Sequence, residues 1–260
     1  GKVRHQYILG VYSLYERLTC EFPDVLFESC ASGGGRFDPG MLYYAPQAWT
    51  SDDTDAAERI KIQYGTSYVY PLSSMGSHVS ASPNHQVFRN TSLDTRANVA
   101  YFGTFGYELE ITCMSEEELD IMKEQITFMK KYRKLIQQGV FYRLKSPFEG
   151  NSSAWQVVSE DRTEVLVAYF RTMQPVNGKF ERICLKGLEP GALYSVQECF
   201  GEKVDCTTHY GDELMYAGLS VCDISSGVYG IADKQQGDYF SRLFHIKCKN
   251  TVKNNEKSPL

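Results

Sequence analysis

The sequence predicts two structural classes in series: an α/β unit amounting to half of a parallel (β/α) barrel, then an all-β antiparallel domain. Three observations carry this. Up to Gly139, short apolar segments alternate with helical patterns, and each apolar segment runs into a Gly-rich or polar loop. After Gly139 the chain changes to short strand-like runs separated by Gly, Asn and Asp turns. Between the two lies a strongly signalled helix.

Taken in order, residues 1–19 carry an i, i+3/i+4 apolar stripe through Tyr7, Ile8, Val11, Tyr12, Leu14, Tyr15 and Leu18, which predicts a helix. Pro23 follows it, and Val25, Leu26 and Phe27 predict a strand leading into the glycine loop. Residues 48–50 run into an acidic loop, 55–64 predict a helix and 66–70 a buried strand. Residues 96–101 predict a further strand entering the loop 103–107. Ser115 and Glu118 then form a capping box, with Ile121, Met122, Ile126, Met129 and Tyr132 following at helical spacing. Four strand ends, at Ser29, Thr50, Pro71 and Phe102, make half a barrel. Strands are predicted at 155–159, 164–170, 180–185, 194–199 and 240–247. The expected organisation is a half barrel at 1–139, an antiparallel domain at 140–248 and a disordered polar tail at 249–260.

A chain of 260 residues with 42% hydrophobic content can bury one sizeable core or two smaller ones. The net charge of −5, with Lys and Arg scattered, argues against nucleic acid or an anionic membrane as partner. The 18 tyrosines suit stacking on sugar rings and suit β-rich cores equally well. No stretch approaches the roughly 20 apolar residues of a membrane helix, and the N-terminus lacks a signal-peptide core. The eight cysteines are dispersed without a CxxC pair, so a reduced, cytoplasmic protein is expected. Sequons at Asn90 and Asn151 are compatible with secretion instead. Because the chain opens without Met, directly into a helical pattern, it reads as cut from something longer.

Two loops could carry chemistry. In ESCASGGGRFD, Gly33, Gly34 and Gly35 follow an apolar strand, and glycine lets backbone come close to a ligand. The pattern is neither a P-loop nor GxGxxG, so a phosphate cradle is rejected, while a chemically idle flexible loop stays open. The second loop, WTSDDTD, gathers Asp52, Asp53 and Asp55 beside Trp49 at a predicted barrel strand end, where barrel active sites lie. A glycosidase needs a carboxyl group that can give a proton to the leaving oxygen. Calcium binding is the competing use, but the loop lacks the glycine and terminal Glu of a calcium loop. Capping of the next helix is the structural alternative, and one of these aspartates is expected to serve it. His78 and His85 lack further zinc ligands nearby, and Ser29, Ser32 and Ser51 lack a nucleophile elbow. No metal and no cofactor is called for.

The stretch from ESCASGGGRFDPG through AWTSDDTDAAERI to SHVSASPNHQ resembles family 36 α-galactosidases, and NVAYFGTFGYELE, SPFEG and GDELMYAGL extend the resemblance over nearly the whole chain. It implies a catalytic (β/α)8 TIM barrel, here its C-terminal half, followed by an antiparallel β-sandwich. It further implies hydrolysis of terminal α-galactosyl groups of melibiose- and raffinose-type oligosaccharides by double displacement, with a homo-oligomeric full-length protein. By the same resemblance the general acid/base falls on Asp52, with Asp55 as the alternative, and a sugar-contacting thiol on Cys30. A small buried hydrophobe fits Cys30 equally. Gly33 and Gly34 are expected near the sugar, Trp49 as an aromatic wall and Arg36 as a carboxylate-orienting cation, though both side chains suit a core as well. The nucleophilic aspartate of the family lies in a Lys-Trp-Asp motif upstream of these segments, and no such motif occurs here. Related transferase or α-N-acetylgalactosaminidase chemistry is the enzymatic alternative. A catalytically inactive fragment or carbohydrate-binding module is the non-enzymatic one.

Overall fold

A computed structural model describes residues 1–176, 180–200, 206–221 and 237–249. The chain forms two compact units, Gly1–Lys131 and Tyr132–Leu260, and the division falls inside a long helix rather than after it. The expected tail, apart from Lys249, lies outside the described residues.

The first unit opens with helix α1, Lys2–Glu21, followed by the strands β1, Glu28–Ser29, and β2, Gln47–Ala48. Helix α2, Ala56–Thr66, and strand β3, Gly76–Ser80, come next. Helix α3, Leu93–Ala100, strand β4, Thr104–Glu108, and helix α4, Glu116–Gln138, complete the series. All pairings within it are parallel: β1 with β2, Ala48 bridged to Met75 just before β3, and β3 with β4. Four parallel strands adjacent in chain order and separated by helices are the half barrel that the sequence predicts. Met41, Ala45, Met75 and Val79 are fully buried among them. Gln63 of α2 is a buried polar tie: its amide donates to the Val99 carbonyl at 2.9 Å, while its oxygen accepts from Ser77 Oγ at 2.9 Å.

Two predicted strands are corrected. Residues 66–70 are the end of α2 and a turn, and the strand lies later, in β3. Residues 96–101 belong largely to α3, whose N-cap is Ser92, accepting from Thr95 N at 3.1 Å, with Asp94 in the first turn. The cap outweighs the strand preference of Val99 and Tyr101, and the strand is displaced to β4. Val25 and Leu26, expected on a strand, are exposed ahead of a two-residue β1. The Ser115/Glu118 capping box forms at 3.0 and 3.2 Å.

In the second unit, strands β5, Val140–Lys145, β6, Ser152–Val158, and β7, Glu164–Arg171, run in sequence. They are followed by β8, Arg182–Ile183, β9, Leu193–Glu198, β10, Thr207–Tyr210, β11, Leu219–Ser220, and β12, Phe240–Cys248. Six of them make an antiparallel sheet in the order β10-β9-β12-β7-β6-β5, and β8 pairs with β11 in a second small sheet. Val165, Val167, Tyr169, Tyr194, Val196, Phe244 and Ile246 of the large sheet share one core with Ile183, Leu185, Leu214 and Leu219 of the covering layer. This is a two-layer sandwich. Leu166, Ala168 and Phe170 are buried on the opposite face, so β7 reads as a continuous apolar run.

Candidate active site

The loops following β1 and β2 lie side by side at the C-terminal strand ends, where the amide of Trp49 donates to the Ser29 carbonyl at 3.0 Å. The glycines make that approach possible. Gly33 sits at φ +64°, and a Cβ there would lie 2.6 Å from both Asp52 N and Ser51 Cα; a Cβ on Gly34 would lie 2.9 Å from the Thr50 carbonyl oxygen. What comes close to the glycine loop is therefore the acidic loop itself. Cys30 is exposed on the same loop as a free thiol, and Arg36 is half-buried there.

Structure gives the three carboxylates different environments. Asp55 is fully buried, caps α2 by accepting from Glu58 N at 3.1 Å, and is ion-paired with Arg89. Asp53 is half-buried, and its Oδ1 accepts from Asp55 N at 3.0 Å, shaping the turn. Asp52 is exposed, and Oδ1 accepts from the indole N–H of Trp49 at 3.2 Å.

The loop is clamped from two sides. Arg59, buried in α2, donates to Thr50 Oγ1 at 2.6 Å and to the Ser51 carbonyl at 2.8 Å, and its guanidinium lies 4.4 Å from the centroid of the Trp49 ring. Burial pushes Arg59 down to about 10, against the opposing pull of Asp53, Glu108 and Asp52, so it remains a cation at neutral pH. From the other side come the last residue of β3 and residues that follow it. Ser80 Oγ donates to the Thr54 carbonyl at 2.7 Å, Asn84 to Thr54 Oγ1 at 3.1 Å, and Gln86 Oε1 accepts from Thr54 N at 3.2 Å.

The His78 ring lies against Trp49 at a tilt of 34°, with ring centroids 4.7 Å apart. Its Nδ1 is 3.4 Å from Oε2 of Glu108. His85 is exposed. Arg59, His78, Gln86 and Glu108 lie within the segments that carry the resemblance and Arg89 just beyond one of them, but no spacing in the sequence ties any of the five to the acidic loop. Among the described residues no three His, Cys, Asp or Glu side chains converge as a metal site requires, and no helix is long and apolar enough to cross a membrane.

Parallel strands ending in clamped acidic and glycine loops, followed in the same chain by an antiparallel β domain, are the arrangement that the resemblance to barrel glycoside hydrolases implies. Residues 1–139 match the melibiase family and residues 152–246 the glycosyl hydrolase family 36 C-terminal domain. The chain belongs to glycoside hydrolase family 36. It is 55% identical to α-galactosidase AgaA of Geobacillus stearothermophilus over 94% of its own length and 31% of that protein's. A substituted form of AgaA in complex with raffinose superposes with a TM-score of 0.83 at 50% identity, covering 94% of this chain and 32% of that one. The α-galactosidase of Lactobacillus brevis superposes at 0.84 with 53% identity over the same shares. This chain thus spans about a third of the length of these relatives.

Proposed function

We propose that this chain supplies the general acid/base half of a retaining α-galactosidase active site, with Asp52 as the proton donor. The observation that carries the reading is the sorting of the carboxylates: Asp55 is consumed by capping and by Arg89, Asp53 by the turn, and only Asp52 is both exposed and directed by a side-chain donor. In a retaining mechanism a second carboxylate, about 5–5.5 Å away, attacks the anomeric carbon. The family motif for that nucleophile is absent from this sequence, so the second carboxylate comes from outside it. Asp52 protonates the departing oxygen in the first step and takes a proton from water in the second. Substrates are oligosaccharides ending in α-galactose, of the raffinose type that the related AgaA binds. Cys30 and Arg36, both on the glycine loop, and the Trp49 ring are proposed to contact sugar. Free thiols at Cys20, Cys30, Cys113, Cys184 and Cys206 support a reducing, cytoplasmic setting.

The deciding experiment compares Asp52→Ala with Asp55→Ala in the full-length enzyme, using raffinose and 4-nitrophenyl α-galactoside. A general acid contributes roughly 10²–10⁴-fold when the leaving oxygen needs its proton, and far less for an aryl leaving group. Asp52→Ala is expected to cripple raffinose hydrolysis selectively, to accumulate glycosyl-enzyme, and to be rescued by azide on the aryl substrate. The same signature on Asp55→Ala, with a uniform loss on Asp52→Ala, reverses the assignment.

A further inference from the structure

The indole that directs Asp52 is itself held in place. His78, central in β3, lies against it with 34° between the ring planes, and Glu108, at the end of β4, engages the His78 Nδ1. Both rings rest where the backbone has no side chain. A Cβ at Gly76 would come within 2.8 Å of the Trp49 ring, and one at Gly106 within 2.9 Å of the His78 ring. The indole N–H, the imidazole and the Glu108 carboxylate thus form a chain from Asp52 across two strands.

We propose that His78, oriented by Glu108, is a positioning residue for the general acid/base: by fixing the plane of Trp49 it fixes where Asp52 presents its carboxyl group. The inference rests on reading Asp52 as the proton donor. An exposed Asp exchanges rotamers freely, while a proton donor has to lie about 2.6–3.2 Å from the oxygen it serves. A single hydrogen bond from Trp49 restrains Asp52 only as well as the indole is itself restrained. Arg59 also touches the indole, but it is tied to Thr50, Ser51 and Gly76 as well, so removing it dismantles the loop. His78 touches the indole through a tilted ring contact alone and makes no hydrogen bond to the acidic loop among those described, so it is the separable part.

The test uses the full-length enzyme with His78→Ala, His78→Phe, Glu108→Gln and, as reference, Asp52→Ala, measuring kcat/KM on raffinose and on 4-nitrophenyl α-galactoside. His78→Ala is expected to lose about 10-fold more on raffinose than on the aryl substrate, a fraction of the general-acid effect. His78→Phe keeps a ring on the indole and should return to within about 3-fold of the parent enzyme. Glu108→Gln, at an exposed position, should show a weaker selective loss of about 2-fold or more. Added to Asp52→Ala, His78→Ala should cause no further selective loss. Equal losses on both substrates for His78→Ala, or a His78→Phe variant as poor as His78→Ala, overturn the positioning role. If His78→Ala does not fold, Glu108→Gln decides, and an unselective effect there counts against the proposal. Absence of leaving-group dependence in Asp52→Ala overturns the acid/base assignment itself, and the positioning role with it.

Discussion

At the scale of single residues, the acidic loop owes its shape as much to hydrogen atoms as to carboxylates. Gly33 combines a positive φ with backbone atoms of Ser51 and Asp52 where a methyl would sit. Gly33→Ala therefore meets left-handed strain and a clash with main chain that cannot rotate away. We expect it to destabilise the first unit by about 2 kcal/mol or more, read as a lower melting temperature, and to depress activity on both galactosides alike, because the whole loop shifts. A fully stable Gly33→Ala variant would mean that the two loops are not in contact as described. The aspartates and glycines were legible in the sequence because their signal is local: three carboxylates within four residues, three glycines in a row. Arg59, His78 and Glu108 were not legible. Each reaches the loop from a different element, through distances that only the folded chain sets.

Helices and strands were legible where end signals agreed with periodicity. The start of α4 is written twice, in its capping box and in its apolar spacing. Strand β3 is written hardly at all: Gly-Ser-His-Val-Ser has no apolar alternation, because the segment is buried by tight packing of small side chains. The second unit carries a polar device of its own. Glu181 accepts from Ser152 Oγ at 2.8 Å and from the Tyr169 hydroxyl at 2.7 Å, and is ion-paired with Lys145. Burial raises its pKa, but Lys145, Tyr169 and Ser152 outweigh burial and hold the carboxyl below its ordinary 4.5. A carboxyl held low stabilises the fold fully above that ordinary value, and the contribution fades as pH falls through the folded value. Glu181→Gln should therefore cost on the order of 1–2 kcal/mol near neutrality. Its disadvantage should shrink as the pH is lowered below about 4.5. Denaturant melts at pH 7 and pH 3.5 check this; a disadvantage that stays constant or grows in acid counts against it.

On the scale of the whole molecule, the decisive fact is how much of each relative this chain spans. On the proposal that Asp52 is the proton donor and that the nucleophile lies outside this sequence, the isolated 260-residue chain should not turn over 4-nitrophenyl α-galactoside. Among the described residues, β1 and β4 each have one unpaired edge, and Val3, Tyr7, Leu9, Leu14, Val25 and Leu26 are exposed. Light scattering on the isolated chain should therefore report association rather than a monodisperse monomer, and an active monomer would contradict both expectations. Helix α1 sharpens the point, because none of its 20 residues is buried, and side-chain hydrogen bonds such as that of Tyr12 to Asp38 moor it to the unit. Its stripe of Ile8, Val11, Tyr12, Tyr15 and Leu18 is only half-buried, so the helix draws little stability from packing, the source on which most helices in proteins depend. It carries Arg4 and Arg17 in the open, so trypsin should nick it before any other described helix, at a rate set by how often the helix frays. Any protein surface that covers the stripe slows the nicking in proportion, and the digestion half-life becomes a clock that reads docking without an assay of catalysis.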